Sequence, residues 1–363
     1  MRAARVPARP FAGLGPAGSD WPHARRVAIG LLVPGLALLL AGRPDLLIYA
    51  VFGSFTGMYG RAESPGLRLR HQTQAGTVLS AGVAIGIALS ACHARPWVLV
   101  STEAVFAVVV ALVTNRLGLS PRGPFFGIFA LGAVATVPAG RIAPWAALAI
   151  CVATAAFCVL IGLSERLSGT RKPVPGEAVA EPARCEARCA RRRRPWCALT
   201  HAARYGLAIA AAGSIGLLLG VDHANWAMAS AAVPLAAADA RNSLHPGIRS
   251  VVRRGAHRVL GTLAGLGAAA LLLLPPFGPT PLALSVMVLL FPTELFMARN
   301  YGLALGFFTP LIMVMTELAT PAEPLTLLTD RGLDTLLGVA AGIAAAVLVR
   351  GPCSPRLRRR DGR

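Results

Sequence analysis

The chain is 363 residues long, 55% hydrophobic and only 14% charged, with a mean hydropathy of +0.60 and a formal net charge of +20. So few polar residues cannot cover a water-soluble globule of this size, so lipid is the solvent for most of the chain. Long apolar runs, rather than alternating ten-residue segments, exclude a barrel and select helices, which satisfy each backbone N–H and C=O within their own segment. The fold class is therefore all-α integral membrane.

In chain order, residues 1–22 are rich in Pro, Gly and Arg and read as a disordered cytoplasmic tail. Residues 23–163 hold six apolar runs, near 25–41, 46–60, 73–91, 97–113, 124–138 and 143–163. Residues 164–199 mix Pro173, Pro175 and Pro182 with acids and the run Arg191 to Arg194, and read as a basic cytoplasmic linker. Residues 200–350 hold six more runs, near 201–219, 224–238, 256–274, 280–293, 300–316 and 331–349, before a basic cytoplasmic tail at 351–363. About twelve transmembrane helices are predicted.

The two sets of six repeat one another. His23-Ala24-Arg25-Arg26 opens a run whose far end carries Asp45, and the next basic loop closes on Gly76-Thr77. About 180 residues later His201-Ala202-Ala203-Arg204, Asp222 and Gly261-Thr262 return in the same order. Repeats of this kind are how many secondary transporters enclose a path between two similar halves. Two bundles meeting around a polar passage are expected.

Charge fixes the orientation. With twelve crossings and the N-terminus inside, only Arg43, Arg95, Arg141 and Arg331 fall outside, so 32 of the 36 basic residues lie inside (36 less these four). That asymmetry places both termini in the cytoplasm and makes the halves parallel repeats. The arginines of the linker and of the tail (Arg356, Arg358, Arg359, Arg360) then face anionic membrane lipid, and no nucleic acid is needed to explain the charge. Cys92, Cys151 and Cys158 read as packing residues. Cys185, Cys189, Cys197 and His201 sit among arginines that repel a cation, so no metal and no cofactor are expected, and a cytoplasmic location argues against disulfides.

Ionisable groups at membrane depth are candidates for function. Glu103 lies one to two turns inside the fourth run. It reads either as a proton carrier or gating acid, or as an interfacial acid bonded to Arg95 or to a neighbouring hydroxyl. Asp334 follows Arg331 by three residues, which puts both on one helical face, where an ion pair is expected. Arg70 with His71, and His257 with Arg258, precede Gly76-Thr77 and Gly261-Thr262 and could flank a cytoplasmic entrance for an anion. Gly76, Gly82 and Gly86, with Gly261, Gly265 and Gly267, predict close helix packing, with the third and ninth spans as candidate partners for each other. Short or broken spans at matching positions point to a solute path: the second and eighth, and the fifth and eleventh, where Phe125-Phe126-Gly127 matches Phe307-Phe308-Thr309. Tyr49, Trp226, Phe307 and Phe308 offer rings for an aromatic solute, while Tyr49 and Trp226 also suit an interfacial belt.

The segments Arg254–Thr262 (RGAHRVLGT), Ala298–Leu311 (ARNYGLALGFFTPL) and Asp330–Gly338 (DRGLDTLLG) resemble the second-half pattern of the fusaric acid resistance (FUSC) and aromatic acid exporter superfamily. The resemblance implies an inner-membrane module linked to export of aromatic or other organic acids, and places Arg258, Tyr301, Arg331 and Asp334 on recurring positions. Larger members carry a sizeable cytoplasmic domain where this chain has only its linker. The expected function is a permease that exports a small organic acid, aromatic ones included, by secondary transport. A passive organic-anion channel and a non-transporting membrane assembly protein are the alternatives, and assembly as a homo-oligomer stays open. No phosphate-cradling Gly-Lys-Ser/Thr loop is present to supply ATPase work, and the scattered histidines offer no catalytic cluster, so no enzyme is expected.

Overall fold

The computed structural model describes residues 20–61, 63–167, 195–220, 224–240 and 248–349. Among these residues there are twelve α-helices and no strand. The first half contributes α1 (Asp20–Leu40), α2 (Leu47–Ser54), α3 (Pro65–Ala91), α4 (Pro96–Leu117), α5 (Phe125–Ala135) and α6 (Pro144–Leu167). The second contributes α7 (Pro195–Leu218), α8 (Ala224–Ala240), α9 (Ile248–Leu273), α10 (Pro279–Met297), α11 (Tyr301–Ala319) and α12 (Pro324–Leu348). Proline in the first turn opens α3, α4, α10 and α12, where its missing N–H breaks no helical bond. The tails, most of the linker with Arg191 to Arg194, and Asp222 lie outside the described residues. Cys197 is disulfide-bonded, against the expectation of free thiols.

Eight of the twelve, α1, α3, α4, α6 and α9 to α12, are long and apolar enough to cross a membrane. The other four differ for distinct reasons. α7 has the length but carries polar His201 and Arg204 within its first half. α2 is an eight-residue helix flanked by 3-10 turns at Pro44–Leu46 and Phe55–Met58, which together extend roughly 26 Å. α5 has 11 residues, or about 16 Å, because Pro121 and Pro124 keep the preceding segment out of the helix. α8, expected to be short or broken, has 17 residues and α11, expected likewise, has 19, and both run continuously through Pro234 and Pro310.

Packing repeats under exchange of the halves. In the first half α2 packs on α6, and α3 packs on α5 and α6. In the second α8 packs on α12, and α9 on α11 and α12. Across the halves α1 lies against α10 as α7 lies against α4, and α2 meets α11 as α8 meets α5. The glycines explain the closest approaches. A Cβ at Gly82 or Gly86 would stand 2.6 Å from Gly127 O or Leu131 O of α5, and one at Gly261 would stand 2.5 Å from Gly302 O of α11. The glycine helices α3 and α9 thus each pack within their own half, not against each other.

The outward faces are apolar, with Leu40, Val105, Leu260, Leu271 and Val288 all strongly exposed, as a lipid-facing surface requires. Trp21, Trp97, Trp145 and Trp196, at the starts of α1, α4, α6 and α7, are exposed and form the interfacial belt. Tyr49 and Trp226 do not join it, since both are buried.

Candidate functional site

Arg258, Arg331 and Asp334 of the second bundle are buried roughly 10–15 Å along their helices. Arg258 of α9 and Arg331 of α12 are each 1% exposed, and Asp334 of α12 is fully buried. Arg258 donates from Nη2 to Ser230 Oγ at 3.4 Å, and its guanidinium lies 5.4 Å from the Phe125 ring. The Arg331 guanidinium lies over the Trp226 ring at 5.1 Å. Trp226 and Ser230 are one turn apart on α8, so one face of that helix receives both arginines.

The expected Arg331–Asp334 ion pair does not form. Both Asp334 oxygens, and Nε and Nη1 of Arg331, have no hydrogen-bond partner among the described residues. A three-residue spacing puts two side chains on one face, but here the aromatic face of Trp226 holds the guanidinium instead. Two guanidiniums against one carboxylate leave this interior with an excess positive charge. Such an arrangement is costly in lipid and attractive to an anion.

Glu103 of α4 is also fully buried, and neither carboxylate oxygen has a hydrogen-bond partner among the described residues. Its place is made by Gly132 of α5, where an added Cβ would collide with Glu103 Oε1 and stand 2.9 Å from Asn225 Cβ of α8. Asn225 Oδ1 is likewise without a partner. The interfacial alternative for Glu103 is thereby removed: Arg95 caps α4 two turns away, and no neighbouring hydroxyl bonds the acid.

The remaining candidates separate. Tyr301, at the first position of α11, is covered at 3.6 Å by the guanidinium of Arg254, which opens the RGAHRVLGT segment one turn before Arg258 and was not among the candidate site residues. Phe307 is half-buried and stacks on Phe296 of α10, with centroids 6.1 Å apart and an interplanar angle of 14°. Phe308 is buried at the seam, 6.0 Å from Phe55 and 6.3 Å from Phe129, and Phe52 and Phe126 complete the cluster. These rings pack on each other and close the middle of the seam. Rings thus fill the middle of the seam where a polar passage was expected, with Glu103 standing between α4, α5 and α8 and Arg258 reaching Phe125 of the other half.

One end of the α1–α10 contact is ionic. His23 Nε2 meets Glu294 Oε2 at 3.1 Å with both side chains buried, and Arg61 Nη2 donates to Glu294 O at 2.8 Å. Arg299 Nε donates to Asp20 Oδ2 at 3.0 Å. In the α4–α7 contact, aligning the opening prolines Pro96 and Pro279 puts Ala111 in the place of Glu294. His71, expected at an entrance, is buried and bonded through Nδ1 to Glu63 at 2.7 Å, while Arg70 and His257 are exposed. At the other end of α1, Arg43 grips Asp45 with two bonds of 3.0 and 2.9 Å, and this holds the Asp45 carboxyl below the usual aspartate range.

Residues 209–345, from α7 through α12, match the family model described as fusaric acid resistance protein-like. The match covers Arg258, Arg331 and Asp334. Comparison with curated proteins and with solved structures finds no match.

Proposed function

We propose that the protein is an inner-membrane permease that exports a small organic anion by secondary transport, its twelve helices forming two parallel six-span repeats with both termini cytoplasmic. The carrying observation is the buried pair Arg258 and Arg331, held by Ser230 and Trp226 and matched by a single carboxylate. An anion entering that interior supplies the missing counter-charge, and the ring faces of Trp226 and Phe125 suit a flat or apolar body. Glu103, placed at the seam with no partner, is the coupling acid: it can take up a proton from one side and release it to the other as the halves move. The fusaric acid resistance-like match over α7 to α12 agrees with this reading.

Proteoliposomes test it. Under an imposed proton gradient, reconstituted protein is expected to move benzoate. Glu103→Gln abolishes the gradient-driven flux while binding persists, and Arg331→Gln removes both. A passive channel predicts that Glu103→Gln leaves downhill flux intact. Absence of flux under every gradient, across a panel of organic anions, would overturn the permease reading in favour of an assembly role.

A further inference from the structure

A cavity of about 320 Å³ lies away from the buried charges, at the end of the first half where α3 finishes and α6 begins. Ile87, Val134 and Val137 line its apolar part, Tyr49 and Ser90 border it, and Arg141 closes one side. Ser90 is already committed, donating from Oγ to Val137 O at 2.5 Å. The α5–α6 turn carrying Arg141 is anchored from outside, since Arg141 O accepts from Arg43 Nη2 at 3.1 Å.

The nearby acid is consumed. Both Asp45 oxygens are taken by Arg43, and the Arg141 guanidinium makes no hydrogen bond or ion pair among the described residues. A guanidinium with all its N–H groups free of hydrogen bonds among the described residues, at the rim of an apolar cleft, is the arrangement that holds a carboxylate by its charge and the rest of the molecule by burial. The volume sits at the small end of ligand cavities, about 300 Å³ and upward. It takes one ring or a short chain and has no room for a two-chain lipid.

We propose that this cleft is a binding site for a compact monocarboxylate with an apolar body, held through Arg141 and packed against Tyr49. It is separate from the Arg258–Arg331 interior and stands or falls independently of transport. On the charge-derived orientation it opens at the non-cytoplasmic end of the first bundle.

Equilibrium dialysis of the full-length protein in neutral-lipid nanodiscs tests the site, with benzoate and hexanoate as probes and neutral benzamide as control. Arg141 is exposed, so Arg141→Gln preserves the fold, and the melting temperature checks this. Arg141→Gln is expected to raise the benzoate Kd by about tenfold, Arg141→Lys to restore part of it, and Arg331→Gln to leave this component unchanged. Benzamide binding as tightly as benzoate would overturn the proposal, as would affinity indifferent to Arg141→Gln or lost only in Arg331→Gln. Displacement of benzoate by phosphatidylglycerol at low content would also overturn it, because a headgroup would then own the site. Arg141-dependent binding without flux in proteoliposomes would sink the permease reading and leave the site standing.

Discussion

Glu294 offers the sharpest test of the contact between α1 and α10. Its Oε2 holds His23 across 271 residues of sequence, at 3.1 Å and out of solvent, while Oε1 has no partner among the described residues. Truncation to alanine removes a buried charged hydrogen bond, costing about 2 kcal/mol. It also leaves a hole and an orphaned His23 Nε2, for about 2 kcal/mol more. Loss of the unsatisfied Oε1 returns about 1 kcal/mol, so Glu294→Ala is expected to cost about 3 kcal/mol in all. Glu294→Gln keeps the volume and an acceptor for His23 and costs about 1 kcal/mol. The double replacement His23→Leu with Glu294→Leu, which leaves no orphan, falls near zero. Titration with sodium dodecyl sulfate in mixed micelles, followed by helicity, measures these differences. Trp21, packed 5.6 Å from Phe291, reports locally on the α1–α10 contact. An alanine variant within about 0.5 kcal/mol of the parent, or a double variant as costly as Glu294→Ala, would refute the picture of a buried tie between the halves.

Two further expectations follow from other parts of the fold. Gly86→Ala drives a methyl to within 2.6 Å of Leu131 O and 3.0 Å of Val134 Cβ, and should cost about 1–3 kcal/mol in the same titration. Gly267→Ala, with nothing within 4 Å of the added carbon, should instead stabilise by about 0.5–1 kcal/mol through helix propensity. The Arg43–Asp45 pair carries a pH signature. Because Asp45 ionises at lower pH in the folded chain than in the unfolded one, its contribution is complete above the ordinary aspartate value of about 3.9. The contribution is lost as pH falls through the depressed folded value. Amide exchange of residues 41–46 should therefore accelerate only in that acid range, and Asp45→Asn should remove the pH dependence.

Apolar runs punctuated by proline and charge located all twelve helices, because lipid leaves a segment no alternative to satisfying its own backbone. Side-chain partners were harder to read. Arg331 and Asp334 share a helical face by spacing, yet Trp226 of another helix decides where the guanidinium goes. The glycines of α3 and α9 announced close contact, but a small residue carries no record of which helix comes near. Tyr49 and Trp226 stand near the ends of their runs, as belt residues do, and only the packing of α2 and α8 inside the molecule buries them. His23 was visible as part of a repeated opening, whereas its tie to Glu294 left no local trace because the two meet only after the halves have assembled. The shortness of α5 was legible beforehand, whereas the likeness between Phe125-Phe126 and Phe307-Phe308 carried the same expectation to α11, which runs 19 residues unbroken through Pro310.

The exchange of neighbours between the halves has a consequence for how such a chain could arise and be divided. Each half lends its first helix to the other, α1 clasping α10 and α7 clasping α4, so neither fragment severed at the linker would have its apolar flanks covered. A six-helix polypeptide pairing with its own copy would make every one of these clasps twice, at full symmetry. Tethering the copies in one gene frees them to diverge, and here Arg258 and Arg331 lie buried in the later copy and Glu103 in the earlier. Co-expressed halves should accordingly find each other and reassemble.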